Sequence, residues 1–360
     1  MGALDGLTTA SQPIWQKGFV PTGIPSLDWA LGGGWRYGGL AEIYGNWGSG
    51  KTIMLYLTLI SCQQNGGVAV LLETEGAFNP FLFELLGGDL DNLLVREVET
   101  TEDFFTAVQK LLKKIIEAPG EPEVVIALDS IAALSTDHLQ AKGMAKRDLS
   151  KALTMSQGCQ LIISLVSKAK ALVIASNQIR VASFDARGQA REESTGGKSW
   201  PFYSSQRVQL AFANPKGQTT TYRTSDIVDD ETGVEIGKRL VGEVTKNRAA
   251  PAFRRVVLPF YTEPQYPHPT FTGQITKLGV DVDEALLEWY LSNERTFFHD
   301  GKRHPYVLKA GKGGGYYDLH PLITKNIEGW KKFRKKDWPK VLEVVPQLSD
   351  PDYTPAEEKE

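Results

Sequence analysis

Cysteine is scarce in this sequence, whose 360 residues include two, Cys62 and Cys159. Two cysteines cannot form the network of disulfides that stabilises small secreted domains, so we expect packed thiols in a reducing compartment. The first fifteen residues also lack a basic stretch followed by an apolar core, the pattern of a secretory signal. We therefore expect a cytoplasmic protein.

Long apolar runs and a strong net charge are missing as well. No run of about 18 uncharged apolar residues occurs, so we expect no transmembrane helix and no membrane partner. The formal net charge of -3 argues against binding nucleic acid through a basic surface that covers the whole molecule. Any contact with DNA or RNA must use a local patch.

What is present is an alternation of apolar strands and helical patterns from about residue 21 to 215. The segments VAVLLET, VVIALD and ALVIASNQ are continuously apolar, which is typical of parallel strands buried on both faces. Between such strands lie segments with helical spacing, such as TTEDFFTAVQKLLKKIIEA. Short alternating segments follow from about 206 to 260. The pattern predicts an α/β fold with a mostly parallel sheet and an antiparallel extension.

Composition divides the chain into four expected regions. Residues 1–20 form a short N-terminal arm, 21–270 the α/β core, 271–347 a small C-terminal α/β region and 348–360 an acidic, disordered tail. In the C-terminal region, residues 323–345 interleave lysines and aromatics and favour a basic helix. Its lysines either capture duplex DNA or are simply solvated, and the sequence leaves both readings open.

The segment EIYGNWGSGKT holds the most specific chemical motif. Gly45, Gly50, Lys51 and Thr52 match the spacing G-x-x-x-x-G-K-[ST] between a strand and a helix. Such a loop wraps phosphates with its backbone N–H groups, while the lysine reaches the terminal phosphates and the hydroxyl ligates Mg²⁺. The predicted nucleotide-binding residues are Gly45, Asn46, Trp47, Gly48, Ser49, Gly50, Lys51, Thr52 and Ile53.

Polar side chains end the other predicted parallel strands. Asp129 ends VVIALD, where a carboxylate would join Thr52 in the Mg²⁺ shell. Glu73 and Glu75 end LLETE, and one of them is placed to deprotonate the attacking water. Gln178 ends IASNQ, where an amide can bond the γ-phosphate and lose that bond on hydrolysis. Because the carboxyl ends of parallel strands share one sheet edge, we expect these groups to converge.

The order of these motifs resembles the RecA family of recombinases over roughly residues 18–290. The motifs that carry the resemblance are TGIPSLDWALGGGWRYGGLAEIYGNWGSGKT, LLETEGAFNP, DLDNLLV, VVIALDSIAAL, SNQIR, STGGKSWPFYSS and VTKNRAAP. The resemblance implies a RecA-like ATPase core that uses ATP and Mg²⁺. It further implies a helical filament on single-stranded DNA, a homology search on double-stranded DNA, and strand exchange in recombination and repair.

The resemblance assigns roles within one subunit residue by residue. Lys51 and Thr52 fall on the residues that bind phosphates and Mg²⁺, and Asp129 on the second metal-shell carboxylate. Glu75 falls on the general base. Gln178 falls on the glutamine that senses the γ-phosphate and couples it to a DNA-binding loop. The resemblance thus implies a DNA-dependent ATPase.

The resemblance also implies contacts between subunits. Lys246 and Arg248 fall on two basic residues that reach the ATP of a neighbouring subunit, where a cation stabilises phosphoryl-transfer charge. Phe202 falls on an aromatic contact between subunits. One departure concerns Leu82, which stands where the family has a tyrosine that stacks on adenine. Adenine must then be held differently in this chain.

Two stretches match the family's DNA-binding loops, about 136–148 and about 179–195. Both are rich in small, flexible and basic residues, which can neutralise phosphates, and apolar groups within them can wedge between bases. The alternative for each stretch is an ordinary solvated connector. The predicted DNA-binding residues are Lys142, Lys146, Arg147, Arg180, Val181, Phe184, Arg187, Arg191, Gly196 and Gly197.

Two other readings remain open. The first is a RecA-fold, DNA-dependent ATPase without strand exchange, such as a recombinase paralogue or a ring helicase. The second is a P-loop kinase that acts on a small molecule. A kinase predicts activity in the monomer and an arginine-bearing lid, whereas a helicase predicts closed hexamers.

Overall fold

A computed structural model gives the fold of most of the chain. It describes residues 17–120, 122–142, 150–184, 190–213, 219–220, 226–228, 235–261, 279–291, 296–299, 302–310, 316–319, 323, 332–334 and 337–349.

Helices and strands alternate through the first half of the described chain. The helices are α1 (Pro25–Leu31), α2 (Lys51–Gln64), α3 (Pro80–Leu85), α4 (Thr101–Glu117), α5 (Asp137–Lys142), α6 (Ser150–Ala169), α7 (Ser199–Tyr203), α8 (Val282–Leu291) and α9 (Trp338–Val344), followed by a 3-10 helix at Pro346–Ser349. The strands are β1 (Phe19–Val20), β2 (Trp35–Arg36), β3 (Gly39–Gly45), β4 (Val68–Glu73), β5 (Leu93–Glu97), β6 (Val124–Asp129), β7 (Leu172–Phe184), β8 (Ala190–Ser194), β9 (Ser204–Ala213), β10 (Thr219–Thr220), β11 (Asp226–Val228), β12 (Glu235–Asn247), β13 (Arg255–Tyr261), β14 (Gly279–Val280), β15 (Thr296–His299), β16 (Lys302–Pro305), β17 (Val307–Ala310), β18 (Tyr316–Leu319) and β19 (Lys332–Arg334).

One large sheet organises the molecule, with the strand order β14-β13-β12-β9-β3-β7-β6-β4-β5. The strands from β9 to β5 pair in parallel, and β12, β13 and β14 continue the sheet antiparallel. The predicted α/β fold with a mostly parallel sheet and an antiparallel extension is confirmed. One detail differs, because β9 was expected in the antiparallel part and lies parallel to β3.

Helices cover both faces of this sheet because its strands are apolar on both sides. In β4, Ala69 and Leu71 pack into one core with α1 and α2, while Val70 and Leu72 pack into a second core with α4 and α6. Helix α4 begins at a Thr100 cap, whose side chain accepts the N–H of Asp103. Full burial of each large apolar side chain in these cores contributes about 1.5–3 kcal/mol.

A third core lies in the C-terminal part of the described chain. It packs α8 and α9 with strands β18 and β19 around Tyr290, Tyr306 and Trp338. Trp289 of α8 touches Trp29 of α1, with ring centroids 5.1 Å apart. Strand β14 pairs with β13, so the segment after residue 270 also completes the large sheet. The expected boundary between residues 270 and 271 stays a prediction.

The basic helix predicted over 323–345 is wrong for part of its length. Lys332–Arg334 form strand β19, which pairs with β18, and in the described part of the chain after this strand a helix spans Trp338–Val344. The reason is that Phe333 alternates with basic residues on either side, and such alternation with a period of two residues is typical of a strand. The ring of Phe333 is buried in the third core. Pro339 in the first turn then starts α9. Lys325, Trp330, Lys331, Lys335 and Lys336 lie outside the described residues.

No helix in the described part of the chain is both long and apolar enough to cross a membrane.

Candidate functional site

The phosphate-binding motif joins β3 to α2 at the carboxyl edge of the parallel strands. Gly45 is the last residue of β3, and a Cβ there would lie 2.2 Å from the carbonyl oxygen of Leu210, so only glycine fits. Gly50 has a φ of 77° immediately before α2, which also requires glycine. The Ser49 hydroxyl is buried without a hydrogen-bond partner. A polar group left unsatisfied in a loop of this shape fits an anionic ligand.

Lys51 folds back over this loop, and its Nζ donates a hydrogen bond of 2.8 Å to the carbonyl of Asn46. Burial lowers the pKa of Lys51, whereas the carboxylates of Asp129 and Glu75 raise it. The lysine is therefore positioned at the loop and surrounded by acidic groups. The predicted nucleotide-binding residues run without interruption from the end of β3 to the third residue of α2.

The two predicted metal ligands touch each other. The hydroxyl of Thr52 donates to Oδ2 of Asp129 over 2.7 Å, and the hydroxyl of Ser176 donates to Oδ1. Among the described residues no cluster of three or more His, Cys, Asp or Glu side chains could hold a metal ion. One carboxylate beside one hydroxyl suits Mg²⁺, which retains several waters and takes oxygen ligands. The donor set thus fits the predicted ion.

Glu73 and Glu75 differ in what their carboxylates do. Glu73 is buried and accepts the backbone N–H groups of Glu75, Gly76 and Ala77. Glu75 is exposed, and its Oε1 accepts the hydroxyl of Ser130 over 3.0 Å. Glu73 therefore shapes the turn, while Glu75 remains accessible to a substrate water.

Strand β7 is longer than the sequence pattern predicts. Gln178 pairs with Gly45 of the phosphate loop, and the strand continues to Phe184 before β8 returns antiparallel beside it. The stretch 179–195, expected to be a flexible loop, is a β-hairpin in its described part. Antiparallel pairing of β7 with β8, in which Ile179 lies opposite Ser194, stabilises an extended conformation that the local composition does not favour.

A buried charged network, which the sequence pattern did not reveal, connects this hairpin to β3. Glu42 accepts hydrogen bonds from Asn177 Nδ2 and Arg207 Nε, and the Arg207 guanidinium stacks over the ring of Tyr44. Asn177 also bonds Thr195, and each donates to the other. The available signal was Glu42 itself, a charged residue within an apolar strand, because a buried carboxylate needs a charged partner.

The residues predicted to serve a neighbouring subunit lie together near α7. Lys246 donates from Nζ to the carbonyls of Pro201 and Phe202, at 2.9 and 2.6 Å. Burial, Arg248 and Arg207 lower the pKa of Lys246. Arg248 is exposed, and the side chain of Phe202 is 67% exposed. These groups are available to a second molecule without being part of the same subunit's phosphate loop.

The structure places part of the predicted DNA-binding set. Arg180 is exposed in β7, two residues beyond Gln178. Val181 and Phe184 also lie in β7, Arg191 lies in β8, and Lys142 is the last residue of α5. Lys146, Arg147 and Arg187 lie outside the described residues.

Gly196 and Gly197 close the hairpin against the rest of the core. Their φ values are 85° and 86°, a region that glycine adopts most easily. A Cβ at Gly196 would lie 2.9 Å from Ile131 Cγ2, and one at Gly197 would lie 3.1 Å from the Cβ of Ala152. The glycines thus permit close packing on the turn after β6 and on the start of α6.

The ring of Phe260 lies beside the nucleotide loop, a position that the sequence did not suggest. A Cβ at Gly50 would lie 3.1 Å from the ring of Phe260 in β13. Leu82 is partly buried against the first core, and its neighbour Phe81 is 71% exposed. Residue spacing could not reveal Phe260, because it is more than two hundred positions from the loop that it approaches.

Comparisons with known proteins agree with this geometry. A sequence model described as the RecA N-terminal domain matches residues 8–263. Proteins named Protein RecA from Francisella tularensis subsp. novicida (strain U112), subsp. tularensis (strain SCHU S4 / Schu 4) and subsp. holarctica (strain LVS) are each 33% identical over 239 residues. That alignment covers 66% of this chain and 61% of each relative. The chain therefore matches less than two thirds of these relatives' length.

Proposed function

Because this chain belongs to the RecA family, we propose that it is an ATP-dependent DNA recombinase. Family membership connects the chain with ATP hydrolysis, DNA binding, recombination and repair. The finer steps that we propose are assembly into a helical filament on single-stranded DNA, a homology search on double-stranded DNA, and strand exchange. We propose the cytoplasm as its compartment.

The continuity of β7 is the observation that carries this proposal. One strand holds Gln178 beside Gly45 of the phosphate loop and Arg180 in the hairpin. A change in the hydrogen bonding of Gln178 at the γ-phosphate therefore acts on the backbone that bears the DNA-binding hairpin. Such a shared element supports a switch in which ATP and DNA bias the same two states.

The chain's own residues support ATP hydrolysis in one arrangement. Lys51 and the backbone N–H groups of the loop bind the phosphates, and Thr52 with Asp129 holds Mg²⁺. When bound, Mg²⁺ neutralises charge that develops on the phosphate oxygens. Glu75 accepts the proton of the attacking water, and the Ser130 hydroxyl at 3.0 Å orients its carboxylate.

Assembly completes the proposed site. Lys246 and Arg248 stabilise transition-state charge on a neighbour's ATP, as cations supplied from outside a subunit can. Lys246 exchanges its two carbonyl partners in α7 for the neighbour's phosphates. The exchange frees Phe202 and α7, which follow the glycines at the end of the hairpin. This links filament contacts to the DNA-binding element.

ATP turnover with and without single-stranded DNA tests the proposal, together with electron microscopy of the same samples. We expect DNA to stimulate turnover and open helical filaments to form, followed by strand exchange between homologous duplex and single-stranded DNA. Stimulated turnover without exchange identifies a recombinase paralogue, and closed hexamers identify a helicase. Turnover by a monomer that ignores DNA and transfers phosphate to a small molecule contradicts the proposal in favour of a kinase.

A further inference from the structure

Lys151, the second residue of α6, makes three hydrogen bonds to a single turn. Its Nζ donates to the carbonyl oxygens of Ile131, Ala132 and Leu134 at 2.8, 3.2 and 2.6 Å. An ammonium group carries three donors, so these carbonyls satisfy all of them. A side chain held in this way on one turn fixes that turn against the helix that supplies it.

The turn that Lys151 holds follows directly from the catalytic edge of the sheet. Asp129 ends β6, and the hydroxyl of Ser130 donates to Glu75. The N–H of Ile131 then bonds the carbonyl of Ser176 in β7. The turn therefore begins one residue after the hydroxyl that orients the proposed base and two residues after the carboxylate that faces Thr52.

Both segments predicted to bind DNA begin or end at the same place. The first precedes Ser150, whose hydroxyl hydrogen-bonds that of Thr136 over 2.9 Å. The second, about 179–195, is followed directly by Gly196 and Gly197, which pack closely on Ile131 and Ala152. Lys151 lies between Ser150 and Ala152 and bonds Ile131 directly. Lys151 thus bonds the turn on which Gly196 packs, and its chain neighbours Ser150 and Ala152 contact Thr136 and Gly197.

We propose that Lys151 is a positioning residue that holds the turn of residues 131–134 and thereby couples DNA binding to ATP turnover. The inference rests on the proposed function. Lys151 acts through the backbone of the turn and touches neither ATP nor the DNA phosphates. Burial, followed by the charge of Arg180, lowers the pKa of Lys151 to about 8, so the fully bonded ammonium form persists through neutral pH.

The first test compares Lys151→Met with wild-type protein and with Lys168→Met. The two variants carry the same substitution at opposite ends of α6, about 25 Å apart, and Lys168 is exposed. Methionine preserves the length of the side chain but donates no hydrogen bond. We expect Lys151→Met to keep turnover without DNA within about threefold, and to lose about tenfold in DNA affinity and in stimulation by DNA. Lys168→Met should match wild type.

A salt series separates positioning from direct contact with DNA. A lysine that binds a phosphate on single-stranded DNA contributes about 0.7 to the slope of log affinity against log salt. We expect Lys151→Met to lower affinity without changing that slope. Affinity and stimulation equal to those of Lys168→Met overturn the proposal, as does a shallower slope. Wild-type turnover that ignores DNA contradicts the proposed function instead.

Hydrogen exchange tests the positioning role without DNA. In Lys151→Met we expect the backbone amide hydrogens of Ile131 and Ser135 to exchange at least about tenfold faster than in the wild type. The amide hydrogen of Thr74 should exchange at its wild-type rate. Equal protection in the two proteins at all three amides contradicts the inference. If Lys151→Met does not fold, Lys151→Arg takes its place. Because arginine also donates, it should retain protection at Ile131 and at least half of the DNA stimulation, and loss of both overturns the role.

Discussion

Two carboxylates that lie two residues apart have different tasks in this protein. Glu73 is buried in a turn and accepts three backbone N–H groups, whereas Glu75 is exposed and accepts one hydroxyl. A buried carboxylate that is held by three backbone N–H groups is less accessible to an attacking water than an exposed one. At the scale of single residues, the contacts therefore favour Glu75 as the base and give Glu73 the structural role.

Replacing each carboxylate by its amide separates the two roles. We expect Glu75→Gln to lower ATP turnover by about 10²-fold or more, because a general base contributes 10²- to 10⁴-fold, with an unchanged Tm. We expect Glu73→Gln to lower Tm by about 2–6 °C, because its amide places a donor against backbone N–H groups. Turnover and thermal melts of both variants check this. A stable Glu73→Gln protein without turnover would reverse the assignment.

The titration of Lys151 gives a pH dependence with a definite sign. As the pH rises through about 8, Lys151 loses a proton and one of its three donors. We expect the stimulation of wild-type turnover by DNA to fall as the pH rises, with a midpoint near pH 8. Lys151→Met should not show this fall. Because the folded pKa lies below the ordinary 10.5, the unfolded chain binds more protons between these values. The contribution of Lys151 to the free energy of unfolding therefore increases as the pH rises from about 8 to 10.5. Over the same range the turn of residues 131–134 loses one hydrogen bond from Lys151. ATP turnover of both proteins, measured with and without DNA from pH 6.5 to 9.5, checks this prediction.

At the scale of elements, β7 and β8 form the part of the molecule that the sequence described least well. The phosphate loop, Asp129 and the apolar strands followed from local spacing, because periodicity and glycine placement are local properties. The hairpin did not, because small and basic residues become strands only through pairing. Lys332–Arg334 changed from helix to strand for the same reason. Glu42 and Arg207 meet across 165 positions, a separation that no local pattern contains.

The hairpin provides its own prediction through Arg180. We expect Arg180→Ala to weaken binding of single-stranded DNA and to reduce the salt slope by about 0.7, because one phosphate contact is lost. Arg96→Ala is the matched control, since Arg96 is a half-exposed arginine of β5 that pairs with Asp103. Fluorescence anisotropy with a labelled oligonucleotide across a salt series measures both variants. An unchanged slope for Arg180→Ala would show that this arginine does not bind a phosphate.

At the scale of the whole molecule, the proposed function divides the ATP site between two neighbouring subunits. The exposed Phe202 and Arg248, with Lys246 bonded to the carbonyls of α7, form a surface that is separate from the phosphate loop in the chain. A site divided between neighbours makes turnover depend on assembly, since each subunit then supplies cations to the next one. This arrangement predicts complementation between two inactive proteins.

Mixing tests the shared site directly. Glu75→Gln lacks the base but keeps both cations, and the double variant Lys246→Ala with Arg248→Ala lacks the cations but keeps the base. Each protein alone should be inactive. In a random equimolar filament, about a quarter of the interfaces pair an intact Glu75 with intact cations, so turnover should recover to about a quarter of wild type. The control is a protein that carries four substitutions: Lys51→Ala, Glu75→Gln, Lys246→Ala and Arg248→Ala. When it is mixed with either variant, no interface combines an intact Glu75 with intact cations. Mixtures that stay as inactive as their components would contradict a site built from two subunits.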